Sequence, residues 1–290
     1  MHIGVNRPLR PPAYPAADID AAVIARHAEA LGFESIFYGE HPIRPLDEPG
    51  MAAGSYSDGV PLFQDALVAL ARASAVTSRI KIGSGVFNLP EHNAILFAKQ
   101  IASLDLYSNG RVVLGLSVGW SEIEVTLLGG NFARRWEQTR EAILLMQALW
   151  TKERVEMKGE FYDVPPVLCH PKPASKPWPP ILIGSRHANA FARIVEYADG
   201  WMPAFVRPET MANGPEAVRS GRRKLDELAR AAGRDPSSLH IAAIIKDDAT
   251  IDDLRRFEDA GCDRAIISLP AVETEDKARD VLDRLADRVL

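Results

Sequence analysis

The chain has 290 residues, 47% hydrophobic and 25% charged, with a formal net charge of −5, a composition ordinary for a globular protein. Its acidic balance and scattered Lys and Arg offer no basic face to a nucleic acid. Two cysteines exclude a disulfide framework or a thiolate cluster, and no apolar run approaches the roughly 20 residues that span a bilayer.

The first predicted element is a strand at His2–Val5, with no basic segment or apolar stretch before it, so a cytoplasmic location is expected. Further β-branched apolar runs predict strands at Ser35–Tyr38, Ile80–Phe87, Val112–Val118, Ile181–Ile183, Gly200–Met202, His240–Ile245 and Arg264–Leu269. Segments of helical period separate them. Ala66, Leu67, Leu70 and Ala71 form one stripe, Ala98, Ile101 and Leu104 a second, and Ile143, Met146 and Trp150 a third. Asp18, Asp65 and Asp252 stand where helices should start. Eight strands alternating with helices in this length predict a single α/β domain over residues 1–290, a (β/α)8 TIM barrel. An internal echo agrees: Ala30-Leu31-Gly32-Phe33-Glu34-Ser35 resembles Asp259-Ala260-Gly261-Cys262-Asp263-Arg264. Each reads as a helix ended by glycine, an acidic residue, then a buried strand.

Two segments exceed the minimal repeat. Pro42–Pro61 follows strand two and would cover the barrel mouth; Val155–Pro180, with seven prolines, would be an extended excursion between strands four and five.

Chemistry in such barrels sits just past the strand C-termini. Strand two leads into Glu40-His41, where His41 offers neutral-pH acid–base chemistry or, alternatively, a hydrogen bond to the loop above. Strand five leads into Gly184-Ser185 before a helix expected from Ala188, giving either a phosphate seat or a simple helix cap by Ser185. Gly83 and Gly85 within strand three mark a bulge or a close approach of backbone to ligand, or else packing room near the axis. Gly115 and Gly119 carry the same two readings, and the Gly115–Gly119 run lacks the dinucleotide-binding glycine fingerprint. Glu122 and Glu124 read as an acidic first helical turn that could also flank the mouth. His92 and His170 are isolated and do not pair at metal-ligand spacing.

The run Ile82-Gly83-Ser84-Gly85-Val86-Phe87-Asn88-Leu89-Pro90, followed by Ala98-Lys99-Gln100, Leu104-Asp105, Ser108-Asn109-Gly110-Arg111 and Gly115 to Trp120, resembles the luciferase-like monooxygenase superfamily. It is more similar to the actinobacterial branch of F420-dependent oxidoreductases. Gly159-Glu160-Phe161-Tyr162, Pro171-Lys172-Pro173, Ile183-Gly184 and Ala198-Asp199-Gly200-Trp201 extend the likeness, which covers residues 1–205. The resemblance implies an oxidoreductase with coenzyme F420, or alternatively FMN, across the strand ends. It places His41 near the ring system and Ser84, Gly85, Val86 and Asn88 beneath it, with a non-prolyl cis bond at Gly85–Val86. Gly119 and Trp120 would border the substrate space, and Gly184 and Ser185 would hold the phosphate. The chain departs from the family with Ser185 in place of a second glycine and His92 in place of an arginine. F420-linked hydride transfer to or from a small organic substrate is the leading expectation. FMN monooxygenation, or coenzyme binding without catalysis, are the alternatives. No nucleic acid or membrane partner is expected, and the family frequently forms homodimers.

Overall fold

A computed structural model describes residues 1–6, 19–43, 45, 64–187, 189–270 and 272–290. In chain order its strands are β1 (His2–Asn6), β2 (Ser35–Tyr38), β3 (Lys81–Ser84), β4 (Phe87–Asn88), β5 (Val112–Ser117), β6 (Arg154–Lys158), β7 (Asp163–Leu168), β8 (Ile181–Ile183), β9 (Gly200–Trp201), β10 (Ala204–Phe205), β11 (His240–Ile245) and β12 (Arg264–Ser268). The parallel order β10-β11-β12-β1-β2-β3-β5-β8-β9 closes on itself because β9 also pairs with β11. The result is a (β/α)8 barrel. Among the described residues no helix is long and apolar enough to cross a membrane.

Side chains alternate across the barrel wall, as the two-residue period of a strand requires. Phe37, Val113, Leu182, Met202, Ala242, Ile244 and Ile266 fill the interior with Val86 against them. Their chain neighbours Ile36, Leu114, Ile183, Ile245 and Ile267 face the surrounding helices. With both faces buried, the strands read as continuous apolar runs, which is why their positions are visible in sequence.

Strand three is the exception. The expected continuous Ile80–Phe87 is interrupted: β3 pairs with β2 and β5, β4 pairs only with the end of β5, and the Gly85–Val86 peptide between them is cis. The Ser84 hydroxyl spans the break, donating to the Gly115 carbonyl at 2.8 Å and accepting from the Gly115 N–H at 3.0 Å. A side chain thus replaces the missing ladder bonds.

The helices are α1 (Ala21–Leu31), α2 (Ala66–Val76), α3 (Ala94–Tyr107), α4 (Glu122–Leu127), α5 (Arg135–Thr151), α6 (Ala190–Tyr197), α7 (Pro208–Ala212), α8 (Gly214–Ala231), α9 (Ile251–Asp259) and α10 (Glu275–Val289). Asp65 caps α2 as expected. Asp18 lies outside the described residues, and Asp20 is the cap of α1. Asp252 is within the first turn of α9, whose cap is Thr250 in a reciprocal pair with Asp253; a hydroxyl one residue before the helix reaches its third N–H better than a carboxylate already inside it.

The excursion after α5 is more ordered than its prolines suggest. β6 and β7 form an antiparallel hairpin, and the Glu141 carboxylate accepts the N–H groups of Glu160, Phe161 and Tyr162 at its turn. Asp105 ties the far end of this segment to α3 by accepting from Ser175 N–H at 2.7 Å. Buried Arg111 donates to the carbonyls of Ser74, Thr77, Ile80 and Ser108. These two family-motif residues therefore hold the scaffold together.

The internal echo has a physical counterpart. Gly32 and Gly261 adopt left-handed φ values of 98° and 91° at the ends of α1 and α9. The acidic residue after Gly32 then meets the strand after Gly261, where Arg264 Nε and Nη2 each donate to the Glu34 carboxylate at 2.8 Å. Burial raises the Glu34 pKa, but the hydrogen bonds and charge of Arg264 outweigh it and hold the carboxyl below its usual value. A depressed carboxylate contributes stability that is present above its unfolded pKa and lost as pH falls. Glu34→Gln should therefore cost about 1–2 kcal/mol at neutral pH. The deficit should close below the ordinary carboxylate range, as thermal unfolding at several pH values would reveal.

Candidate functional site at the barrel mouth

The strand C-termini bring five chain segments together. β1 contributes Asn6, β2 is followed by Glu40-His41, and β4 runs into a single 3-10 turn, Leu89–Glu91, followed by His92. β5 leads through Gly119 and Trp120 to α4, and β8 leads to Gly184-Ser185. Parallel strands in a closed barrel all end on one rim, so residues far apart in sequence meet there.

Two histidine–carboxylate pairs dominate the rim. His41 Nδ1 donates to Glu124 Oε2 at 2.9 Å, with the Glu124 side chain 1% exposed. This bond places the ring proton on Nδ1. Trp120 stands edge-on to the same imidazole, with ring centroids 5.8 Å apart. His92 Nε2 donates to Glu40 Oε2 at 2.8 Å, again with a buried carboxylate. His92 also packs against Phe97, centroids 4.6 Å apart.

Glu91 is a third buried carboxyl. Its Oε2 accepts from Asn88 Nδ2 at 3.3 Å, while Oε1 has no hydrogen-bond partner among the described residues. Burial most of all pushes its pKa up to about 8; the charge of Glu124 adds to this, the Asn88 hydrogen bond opposes it, and Glu40 adds again. Gly119, at φ 77°, brings its backbone close to this group. A Cβ there would lie 2.8 Å from Glu91 Oε1 and 2.6 Å from Val125. Among the described residues no three His, Cys, Asp or Glu are arranged to hold a metal ion.

The structure separates the expected site residues into groups. His41, Asn88, Gly119 and Trp120 gather around Glu124 and Glu91. Val86 lies on the barrel floor beside Met202 and Ile244. Ser84 is fully buried in the wall, its hydroxyl committed to Gly115. Gly83 and Gly115 are packing positions: a Cβ on Gly83 would enter the Phe37 ring, and one on Gly115 would sit on the Ser84 carbonyl oxygen. Gly85 differs, since a Cβ there would meet only ordinary contacts at 3.5 Å or more.

Gly184 and Ser185 form a fixed turn. Ser117 Oγ donates to the Gly184 carbonyl at 2.9 Å, and Trp201 Nε1 donates to that of Ser185 at 2.7 Å. The Ser185 hydroxyl accepts from His187 N–H at 3.1 Å and does not cap α6, which begins at Ala190 after Asn189. The serine thus closes a local turn before the helix instead of entering it. The covering loop expected over Pro42–Pro61 lies, apart from Pro42, Ile43 and Pro45, outside the described residues.

Sequence reasoning did not select Asn6, Glu40 or Glu91 as site residues, and it weighed Glu124 at the mouth only as an alternative to an acidic first helical turn. Glu124 satisfies the first-turn pattern of α4 together with Glu122, and that local explanation hides its contact with His41, 83 positions away. A cleft of about 810 Å³ opens at the opposite end of the barrel, among Met1, Lys81, Trp178, His240 and Asp263. Of the charges lining it, Arg264 pairs with Glu34, Asp263 with Arg222 and Glu258 with the N-terminal amine, while Lys81 and Lys176 donate to the carbonyls of Gly110 and Pro173. The rim with unsatisfied polar groups is the better candidate.

The rim residues fit a ring-shaped coenzyme with a phosphate. Asn6 Oδ1 is buried without a partner among the described residues. It lies 3.5 Å from where a Cβ on Gly85 would be, over an apolar floor. The Gly184-Ser185 turn precedes a helix start, the usual setting for phosphate.

A model described as luciferase-like monooxygenase matches residues 1–251. The chain is 33% identical to an uncharacterised protein of Mycobacterium tuberculosis, over 93% of this chain and 94% of that one. It is 30% identical to the F420-dependent hydroxymycolic acid dehydrogenase of Mycobacterium tuberculosis, over 83% of this chain and 64% of the other. Among solved structures it is similar to the monooxygenase RslO1 from Streptomyces bottropensis, with a TM-score of 0.77 and 20% identity over 99% and 98% of the two chains. At that identity the likeness speaks for the fold.

Proposed function

The chain belongs to the luciferase-like monooxygenase family, and from that premise we propose that it is an oxidoreductase using coenzyme F420 in two-electron exchange with a small organic substrate. The observation that carries this reading is the His41–Glu124 pair at the strand ends, beside an apolar floor and an unsatisfied Asn6 oxygen. Coenzyme F420, when bound, supplies the hydride-carrying ring. Hydride transfer at a carbonyl or alcohol carbon must be matched by a proton at oxygen, and a protein group has to give or take it. His41, with Nδ1 tied to a buried carboxylate, does so at Nε2.

Gly85, Val86 and Asn88 line the space beneath the ring, with Ser84 holding the wall behind them. Gly184 and Ser185 receive the phosphate, and Gly119 and Trp120 border the substrate. The exposed, edge-on Trp120 shields the imidazole from one side. The 30% identity to an F420-dependent dehydrogenase supports F420 over FMN. The family description and the structural likeness to a monooxygenase support FMN as the second reading.

Titrating the purified protein with each coenzyme, followed by absorbance and intrinsic tryptophan fluorescence, decides between them. F420 is expected to bind at least about ten-fold more tightly than FMN, a difference near 1.4 kcal/mol. Equal or tighter binding of FMN would favour the monooxygenase reading.

A further inference from the structure

Among the described residues three carboxyls converge at the mouth, and two of them have an imidazole: Glu124 has His41 and Glu40 has His92. Glu91 has neither. It is 7% exposed, takes one hydrogen bond from Asn88, and leaves Oε1 unpartnered among the described residues. The charged groups acting on it are Glu124 from α4 and Glu40 from the segment after β2, both negative. Their histidines, His41 and His92, are engaged with those two carboxylates. A buried carboxyl without a cation or a full set of donors is more stable neutral than ionised.

We propose that Glu91 carries a proton in the resting protein and sets the charge of the barrel mouth by releasing it. While neutral, it adds no charge beside Glu124, the carboxylate that holds the His41 imidazole; once ionised, it adds one. The step moves one proton from Glu91 to solvent and no electrons. Ionisation leaves more negative charge at the rim and disfavours an anionic coenzyme there. Only this last consequence rests on the function proposed above.

Burial pushes the Glu91 carboxyl up to about 8, so the step falls in mildly alkaline solution. A carboxyl raised above its unfolded value contributes stability that is full below the ordinary carboxylate range and lost as pH rises through the folded value. Glu91→Gln, a neutral mimic, should match the wild type in acid and exceed it in melting temperature in alkali.

The experiment uses the full chain without coenzyme. Difference infrared spectroscopy should show one protonated-carboxyl C=O stretch disappearing as pH rises through about 8. That band should be absent in Glu91→Gln and should vanish at lower pH in Glu124→Gln, where one repelling charge is gone. F420 affinity of the wild type should fall several-fold over the same range and stay flat in Glu91→Gln. A wild-type spectrum with no such step overturns the proposal, whether or not either variant folds. A step that persists while neither F420 nor FMN binds supports the Glu91 proton and sinks the coenzyme reading instead.

Discussion

Replacing His41 with alanine is expected to lower turnover by roughly 10²–10⁴-fold, the range associated with loss of a positioned acid–base group. The imidazole is a neutral-pH proton carrier at the rim, its Nδ1 fixed by the buried Glu124 carboxylate and its ring beside Trp120. Alanine removes the carrier and strands Glu124 as a buried charge held, among the described residues, by a 3.5 Å bond from Ile43 N–H. Glu124→Gln keeps shape but weakens the orientation of His41, so a smaller loss, about ten-fold to a hundred-fold, is expected by analogy with outer-shell partners of histidine ligands. Steady-state kinetics across pH, with coenzyme affinity measured separately, distinguish the two effects. Loss confined to turnover fits proton transfer, loss confined to affinity fits a binding role, and unchanged kinetics would remove His41 from the mechanism.

The second large effect is on folding. Gly115→Ala should destabilise the protein by about 3 kcal/mol or more, at or above the top of the usual range for overpacked cores. The added methyl would sit on the Ser84 carbonyl oxygen, 2.7 Å from Met202 Sδ and 3.0 Å from Val86 Cγ1. The first of these atoms is backbone and cannot swing away. It also belongs to the residue whose hydroxyl bridges the break between β3 and β5. Gly85→Ala is the matched control, because its methyl would meet only ordinary contacts. That variant should stay within about 1 kcal/mol of the wild type in denaturant melts while losing coenzyme affinity, since the methyl would occupy the floor of the mouth. If Gly115→Ala melts like the wild type, the close approach of β3 to β5 is wrong.

Much of the barrel was legible in the chain. β2, β8 and β11 have the bounds expected from their apolar runs, because a strand buried on both faces needs an unbroken apolar stretch with polar or glycine punctuation. Gly32 and Gly261 were legible as helix ends, since a left-handed residue after a helix favours glycine. The family motifs lie on segments that the barrel brings to the rim. The interruption of strand three was not legible as a change of pairing, because Ile80–Phe87 has the composition of one continuous strand. Nor was the hairpin formed by β6 and β7, which lies in a segment whose prolines suggested an extended excursion.

The amino-acid order by itself determined the alternation of strands and helices, the closing echo of Gly32 and Gly261, and the family motifs at the strand ends. Those are local properties, set by periodicity, backbone freedom and short-range spacing. Tertiary structure alone decided that Glu124 meets His41, that Glu40 meets His92, and that Glu91 is left between two negative neighbours. A carboxylate on the first turn of a helix looks the same in sequence whether it faces water or an imidazole. Only closure of the barrel brings together groups 52 and 83 positions apart and removes the water that would otherwise have screened them.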